Sequence, residues 1–211
     1  MDIEFIKTAF LTLFVAVDPP GLAPIFLALT ASMSPPMRRH TAWRAVMIAF
    51  CILLAAALGG QRLLHALGVG IPAFRIAGGL LLFYIAAEMV FERRAPRKAH
   101  SAESTVAKEH AQNIAAFPLA IPLMAGPGAI TATILQASHA NGEILNYLGL
   151  TLVLAAVIGS CLGVFLLASP IDRLLGTTGR VVLSRLLGVL LAAMAVQIVG
   201  DGILAFAHPS A

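Results

Sequence analysis

Residues 15–24 read VAVDPPGLAP. An acid, three prolines and a glycine interrupt one of the most apolar stretches of the chain. The surrounding sequence reads as a membrane helix, so the acid and the helix break at its centre need a reason. Of 211 residues, 59% are hydrophobic and only 11% charged, where a soluble domain carries about 25% charged residues. The apolar residues come in long runs, so the chain is read as an integral membrane protein with no sizeable water-soluble domain.

A helix needs about 20 mostly apolar residues to cross the hydrocarbon core. Six segments qualify, at 5–31, 42–64, 73–91, 114–138, 145–168 and 181–207. The runs are continuous rather than alternating with period two, which excludes a membrane barrel. The start, MDIEFIK, is acidic at Asp2 and Glu4 and no small-residue cleavage site follows, so the first apolar segment is expected to be retained. Cys51 and Cys161 both fall in apolar runs and are expected to be buried, inert thiols without metal or redox spacing. The long polar interval 92–113 contains ERRAPRKAHSAESTVAKEH and is expected to be a solvated loop of low order.

Lys and Arg set the orientation. With six spans, one side holds three basic residues, Lys7, Arg62 and Arg75. The other holds eleven, in the intervals after spans 1, 3 and 5. The basic loops are therefore expected in the cytoplasm and both termini outside. The net charge of +4 follows from this bias and implies no nucleic-acid partner.

The two halves carry matching landmarks. LFVAVDPPGLAPIFLALT in the first half and IPLMAGPGAITATIL in the second each hold a Pro-Gly pair, Pro20-Gly21 and Pro127-Gly128. FRIAGGLLLFYIAAEMV, from Phe74, aligns with SRLLGVLLAAMAVQI, from Ser184, which places Arg75 on Arg185 and Gly78 on Gly188. The spacing from glycine to arginine is 54 residues in one half and 57 in the other. Three spans per half make the second copy inverted. The fold expected is an all-α membrane protein of six transmembrane helices, arranged as two inverted three-helix repeats with helices 1 and 4 broken at Pro-Gly. Residues 1–91 form the first repeat, 92–113 the cytoplasmic polar loop and 114–211 the second repeat.

Inverted repeats with a break at corresponding positions are the pattern of secondary transporters. Proline lacks an N–H and glycine tolerates unusual dihedrals, so each break ends one half-helix and begins another. The freed backbone groups must meet protein, water or a ligand. Two half-helix N-termini near the bilayer centre, each with unpaired N–H donors and partial positive charge, suit a carboxylate. Asp18 lies about 20 Å along the first helix from Phe5, where an acid costs on the order of 3 kcal/mol. It either holds a substrate ammonium or a coupling proton, or caps the helix that Pro19 and Pro20 begin. The second half has Ala125 in its place.

The remaining candidates carry two readings each. Thr131 and Thr133, after Gly126, Pro127 and Gly128, would donate hydroxyl bonds to a polar ligand or bond back to helix carbonyls. Arg75 and Arg185 would act as gate charges or snorkel to the interface. Glu88 would be a buried functional acid or, beside Arg93 and Arg94, an interfacial one. Gly159 and Gly163 form a GxxxG helix-packing signal. No HExxH, GxSxG, P-loop or metal-spaced His/Cys cluster occurs. No enzymatic activity, cofactor or metal is therefore expected.

FLTLFVAVDPPGLAPIFLALT and AIPLMAGPGAITATIL resemble the two signature stretches of the MarC family, six-helix inner-membrane proteins of bacteria and archaea. FRIAGGLLLF and RLLGVLLAAMAVQIVGDGI resemble that family's third and sixth helices. The resemblance implies a group classed as neutral amino acid transporters, with alanine or glycine as substrates. It places the family motif on Asp18, Pro19, Gly21, Pro24 and Thr30, and on Pro122, Gly126, Pro127, Gly128 and Thr131. Together these readings give a secondary transporter of a small zwitterionic solute in the bacterial inner membrane. Its site lies at the midplane between the breaks. Proton or sodium coupling and a homo-oligomer are compatible with that reading. The alternatives are efflux of another small solute or drug, and a non-transporting structural or regulatory membrane protein.

Overall fold

Proline starts half of the helices. Its fixed φ and missing N–H suit the first turn, and it occupies that turn in four of the eight helices. The structure is a computed structural model that describes residues 3–31, 33–94, 96–99, 114–140 and 143–207. Among these residues there are helices and no strands. They are α1 (Ile3–Val17), α2 (Pro19–Leu29), α3 (Pro35–Ala66), α4 (Ile71–Val90), α5 (Ala115–Met124), α6 (Pro127–His139), α7 (Ile144–Leu166) and α8 (Ala168–Ala207). Helix α5 is wound as a π-helix, with Pro118 and Pro122 inside it. Gly176, at φ 57° and ψ −171°, interrupts α8.

Five stretches are long and apolar enough to cross a membrane: Ile3–Leu29, Pro35–Ala66, Ile71–Val90, Ile144–Leu166 and Thr178–Ala207. Pro118–Met124 and Pro127–His139, bent by 58°, make a sixth if they count as one span. The chain is thus an all-helical, multi-pass membrane protein. Two boundaries differ from the sequence expectation. Helix α3 begins seven residues before 42, so Arg38 and Arg39 sit on a helix rather than in a loop. Residues 168–175 form a helical segment ahead of Gly176 rather than a loop.

The first span lies innermost and the last outermost. Within their most apolar windows, Ile3–Leu29 is 61% buried and Thr178–Ala207 only 22%. Helix α1 packs on α6 and α7, α2 on α7 and α8, and α3 on α5, α6 and α7. The Phe26 and Phe165 rings stack at 4.4 Å between α2 and α7. Gln136 donates to the Thr12 hydroxyl at 3.3 Å, joining α6 to α1 through two buried polar side chains.

Helices α4 and α8 run antiparallel along a seam of glycines. Gly79 lies against Ala195 and Val199, Gly188 against Ala86 and Met89, and Gly202 against Arg75 and Ile76. Small residues let membrane helices approach closely, and dispersion contacts then hold them. The outer faces present Leu152, Leu186, Val189, Leu190, Val196 and Leu204, an apolar surface suited to lipid. Cys161 is buried as expected, but Cys51 is exposed on the outward side of α3. Nothing lies within 4 Å of a Cβ built on Gly159 or Gly163, so the GxxxG of α7 packs no helix among the described residues.

Candidate functional site

An α-helix bonds each carbonyl to the N–H four residues on. For Val15 and Ala16 those residues are Pro19 and Pro20, which have none. The Asp18 N–H still closes α1 by donating to Phe14 at 2.8 Å. Asp18 then turns left-handed, with φ 60° and ψ 63°, a conformation to which Asp is better suited than most residues. Its Oδ1 accepts the Gly21 N–H at 3.2 Å and caps α2. That bond takes the donor Val17 would have used. Three consecutive carbonyls, of Val15, Ala16 and Val17, are left without helical partners.

Two basic side chains fill them. The Arg94 guanidinium donates to the carbonyls of Val15 and Ala16. The Lys98 ammonium donates to Val17 at 3.3 Å and pairs with Asp18 Oδ2 at 3.5 Å. Arg94 is buried, and the Lys98 side chain is only 11% exposed. Burial pushes the Lys98 ammonium down to about 8, Arg94 adds to the fall, and Asp18 opposes it. These residues belong to the interval expected to be a solvated loop. That expectation fails for its described part: residues 96–99 are helical and fold back onto the first break. Residues 95 and 100–113, Lys108 among them, lie outside the described residues.

The second break follows α5. The Ala125 N–H donates to Ala120 at 2.8 Å, and α6 starts at Pro127 with no side-chain cap on Gly126. An acid caps α2, whereas Ala125 leaves the corresponding position of α6 open. A cavity of about 290 Å³ meets this helix end, lined by Gly126, Pro127, Gly128 and Ala129 together with Arg94, Arg97 and Lys98. A second cavity of about 310 Å³ meets the α2 end, lined by Asp18, Gly21, Pro24, Glu88, Arg94 and Lys98. Arg94 and Lys98 line both. Asp18 and the Gly126–Gly128 turn therefore do not share one open pocket, as the sequence reading expected; the two basic side chains stand between them. Both interruptions fall just before the Pro-Gly pairs, which begin α2 and α6 rather than filling the gap.

The other candidates divide. Pro19 is buried and Pro20 half-buried in the first turn of α2. Glu88 is buried and pairs with Arg97 at 2.8 Å. Arg97 also lies 5.8 Å over the Tyr84 ring. Arg185 pairs instead with Glu92 in an exposed contact. Arg75 is half-buried at the opposite end of the α4–α8 seam, beside Gly202, with its Nε lacking a hydrogen-bond partner. Thr133 donates back to Ala129 at 2.7 Å. The Thr131 methyl and Leu135 occupy the space above Gly78. Neither threonine lines either cavity. Among the described residues no group of three or more His, Cys, Asp or Glu is placed to hold a metal ion.

Sequence reasoning missed Arg94, Arg97 and Lys98 as site residues. The signal was present: successive prolines orphan two carbonyls, and buried orphans require donors. Which donors serve depends on α4 ending beside the break, a long-range fact.

The comparisons agree with this architecture. A family profile described as "MarC family integral membrane protein" matches residues 3–207. The chain is 40% identical over 204 residues to a "UPF0056 membrane protein" of Archaeoglobus fulgidus, covering 95% of this chain and 93% of that one. It is 34% identical to "UPF0056 membrane protein YvbG" of Bacillus subtilis, covering 96% of each. With "UPF0056 membrane protein YhcE" of Escherichia coli it shares 33% identity over 92% of this chain and 89% of that one. No solved structure matches. The match over nearly all of its length places this chain in the MarC family of integral membrane proteins.

Proposed function

We propose that the protein is a secondary transporter of small neutral amino acids of the alanine and glycine type, built as two inverted three-helix repeats. The observation that carries this reading is the cavity at the start of α6, where an uncapped helix N-terminus meets Arg94, Arg97 and Lys98. Three cations and, among the described residues, no carboxylate line it; the acids that pair with two of these cations, Asp18 with Lys98 and Glu88 with Arg97, lie outside its lining. A substrate carboxylate there supplies the cap that Ala125 cannot, on N–H donors and a positive helix end. The cavity lies near the lower end of small-molecule pockets, roughly 300–1,000 Å³. Its three cations fit a small polar solute better than an apolar drug, which favours this reading over drug efflux.

The repeat reading draws support from the α4–α8 seam. Gly79 packs on Val199 and Gly188 on Met89, so each of the third and sixth spans receives the other on a glycine, one residue out of register with the Gly78–Gly188 alignment. Alternating access then comes from one repeat rocking on the other around the breaks, with a proton or sodium gradient as the driving force. The setting is a bacterial-type inner membrane, with the basic intervals in the cytoplasm.

The test is uptake into vesicles reconstituted with the purified protein, using labelled alanine and glycine with and without proton or sodium gradients. Expected is saturable uptake above that of protein-free vesicles, competed by the unlabelled amino acid. Uptake equal to the protein-free level for every amino acid and gradient would overturn the reading.

A further inference from the structure

The Asp18–Lys98 contact is long for a charge-assisted bond. It measures 3.5 Å, and the Lys98 bond to Val17 measures 3.3 Å, against roughly 2.7–2.9 Å for a well-made N⁺–H···O⁻ bond. Arg94, in contrast, bridges two successive carbonyls through one planar group. Beside Lys98 lies the cavity of about 310 Å³ that also reaches Asp18 and Gly21, so its flexible four-carbon stem has somewhere to go. We infer that the Asp18 carboxylate and the Val17 carbonyl form a subsite for a small monovalent cation, in which the Lys98 ammonium is a tethered occupant that a free cation displaces.

Chemistry supports exchange rather than simple opening. A carboxylate and an unpaired carbonyl in a low-dielectric interior are costly to leave bare. Lys98 therefore leaves only as another positive charge arrives. Hard oxygen ligands at an interrupted helix suit sodium or a primary ammonium group. Arg94 stays in place throughout, holding the Val15 and Ala16 carbonyls. The inference rests on the transport reading for its purpose, since an exchanging ammonium would belong to the substrate and a sodium ion to the coupling step. Its geometry stands apart from that reading.

The experiment follows thermal unfolding of the full-length protein in detergent, titrated with methylammonium chloride or sodium chloride. Choline chloride holds the ionic strength constant. Lys98→Gln empties the subsite of its tethered cation. For this variant a saturable rise in apparent Tm of about 4 °C is expected with at least one of the two cations. The double variant Asp18→Asn/Lys98→Gln is expected to stay flat. A response to methylammonium alone identifies an ammonium subsite, and a response to sodium alone a sodium subsite. A flat response of folded Lys98→Gln to both cations, or an undiminished response of the double variant, overturns the inference. If Lys98→Gln does not purify folded, Lys98→Ala is prepared with ethylammonium, which restores the missing ammonium. Recovery of monodisperse protein by ethylammonium and not by choline supports the subsite, and no recovery, or equal recovery by choline, overturns it. Because binding is read without transport, a flat titration with intact amino acid uptake defeats only this inference. Cation binding without uptake defeats only the transport reading.

Discussion

Gly126 and Gly128 sit two residues apart at the second break, yet they face different neighbours. A Cβ on Gly126 would lie 2.4 Å from the Pro122 carbonyl oxygen, part of the backbone that shapes the turn. A Cβ on Gly128 would meet only the tip of Ile85, at 2.2 Å from Cδ1, and a side-chain tip rotates away. Backbone displacement in a packed site costs about 1–3 kcal/mol. Gly126→Ala is therefore expected to destabilise by about 3 kcal/mol and Gly128→Ala by under about 1 kcal/mol, read from thermal unfolding in detergent. Equal losses would show that the turn is not held by that close approach. At this scale the sequence was half legible. Asp-Pro-Pro-Gly announces a cap and an interruption from local chemistry alone, and Asp18 caps α2 as one of its two readings held. The residues that complete the site, Arg94 and Lys98, lie nearly 80 positions away from their carbonyl partners. Their polar neighbours in sequence resemble those of any solvated loop, and local pattern gives no sign of the fold-back.

Helices follow the same division between local and long-range causes. Apolar runs located the spans, because their length is a local property. The boundaries of α3 and α8 moved because Arg38, Arg39 and their neighbours suit an exposed helix as well as a loop; hydropathy alone ends a span too early. The alignment of Gly78 with Gly188 did not show the α4–α8 seam: Gly78 packs on Thr131 and Leu135 of α6, and the seam glycines are Gly79, Gly188 and Gly202. A Cβ on Gly188 would lie 2.9 Å from Met89 Cβ and 3.1 Å from the Ala86 carbonyl oxygen, whereas a Cβ on Gly159 of α7 would meet nothing within 4 Å. Leucine at 188 has to force the two helices apart, while leucine at 159 points into open space. Gly188→Leu is expected to destabilise by about 3 kcal/mol or more, and Gly159→Leu by less than about 0.5 kcal/mol. Unfolding of the two variants side by side checks this. A large loss at 159 would mean that the GxxxG face of α7 is covered in the assembled protein by something other than this chain.

For the whole molecule, the charges bear twice on its direction across the membrane. Eleven of fourteen basic residues fall in the intervals after spans 1, 3 and 5 or on the span ends that adjoin them, which the positive-inside bias would place in the cytoplasm. Arg94 and Lys98 come from one of those intervals, directly after α4, and reach the interruption at Asp18. A charged segment reaches a membrane-embedded site most readily from the aqueous side where it already lies. The two cavities that share these side chains would then face the cytoplasm. Both ends of the chain would lie outside. An alkaline phosphatase fused after the last residue, active only outside the cytoplasm, is expected to be active. The same enzyme inserted within residues 100–113 is expected to be inactive. The reverse pattern would turn the molecule over, so that Lys98 enters from outside and any cation exchanging with it at Asp18 arrives from the external solution.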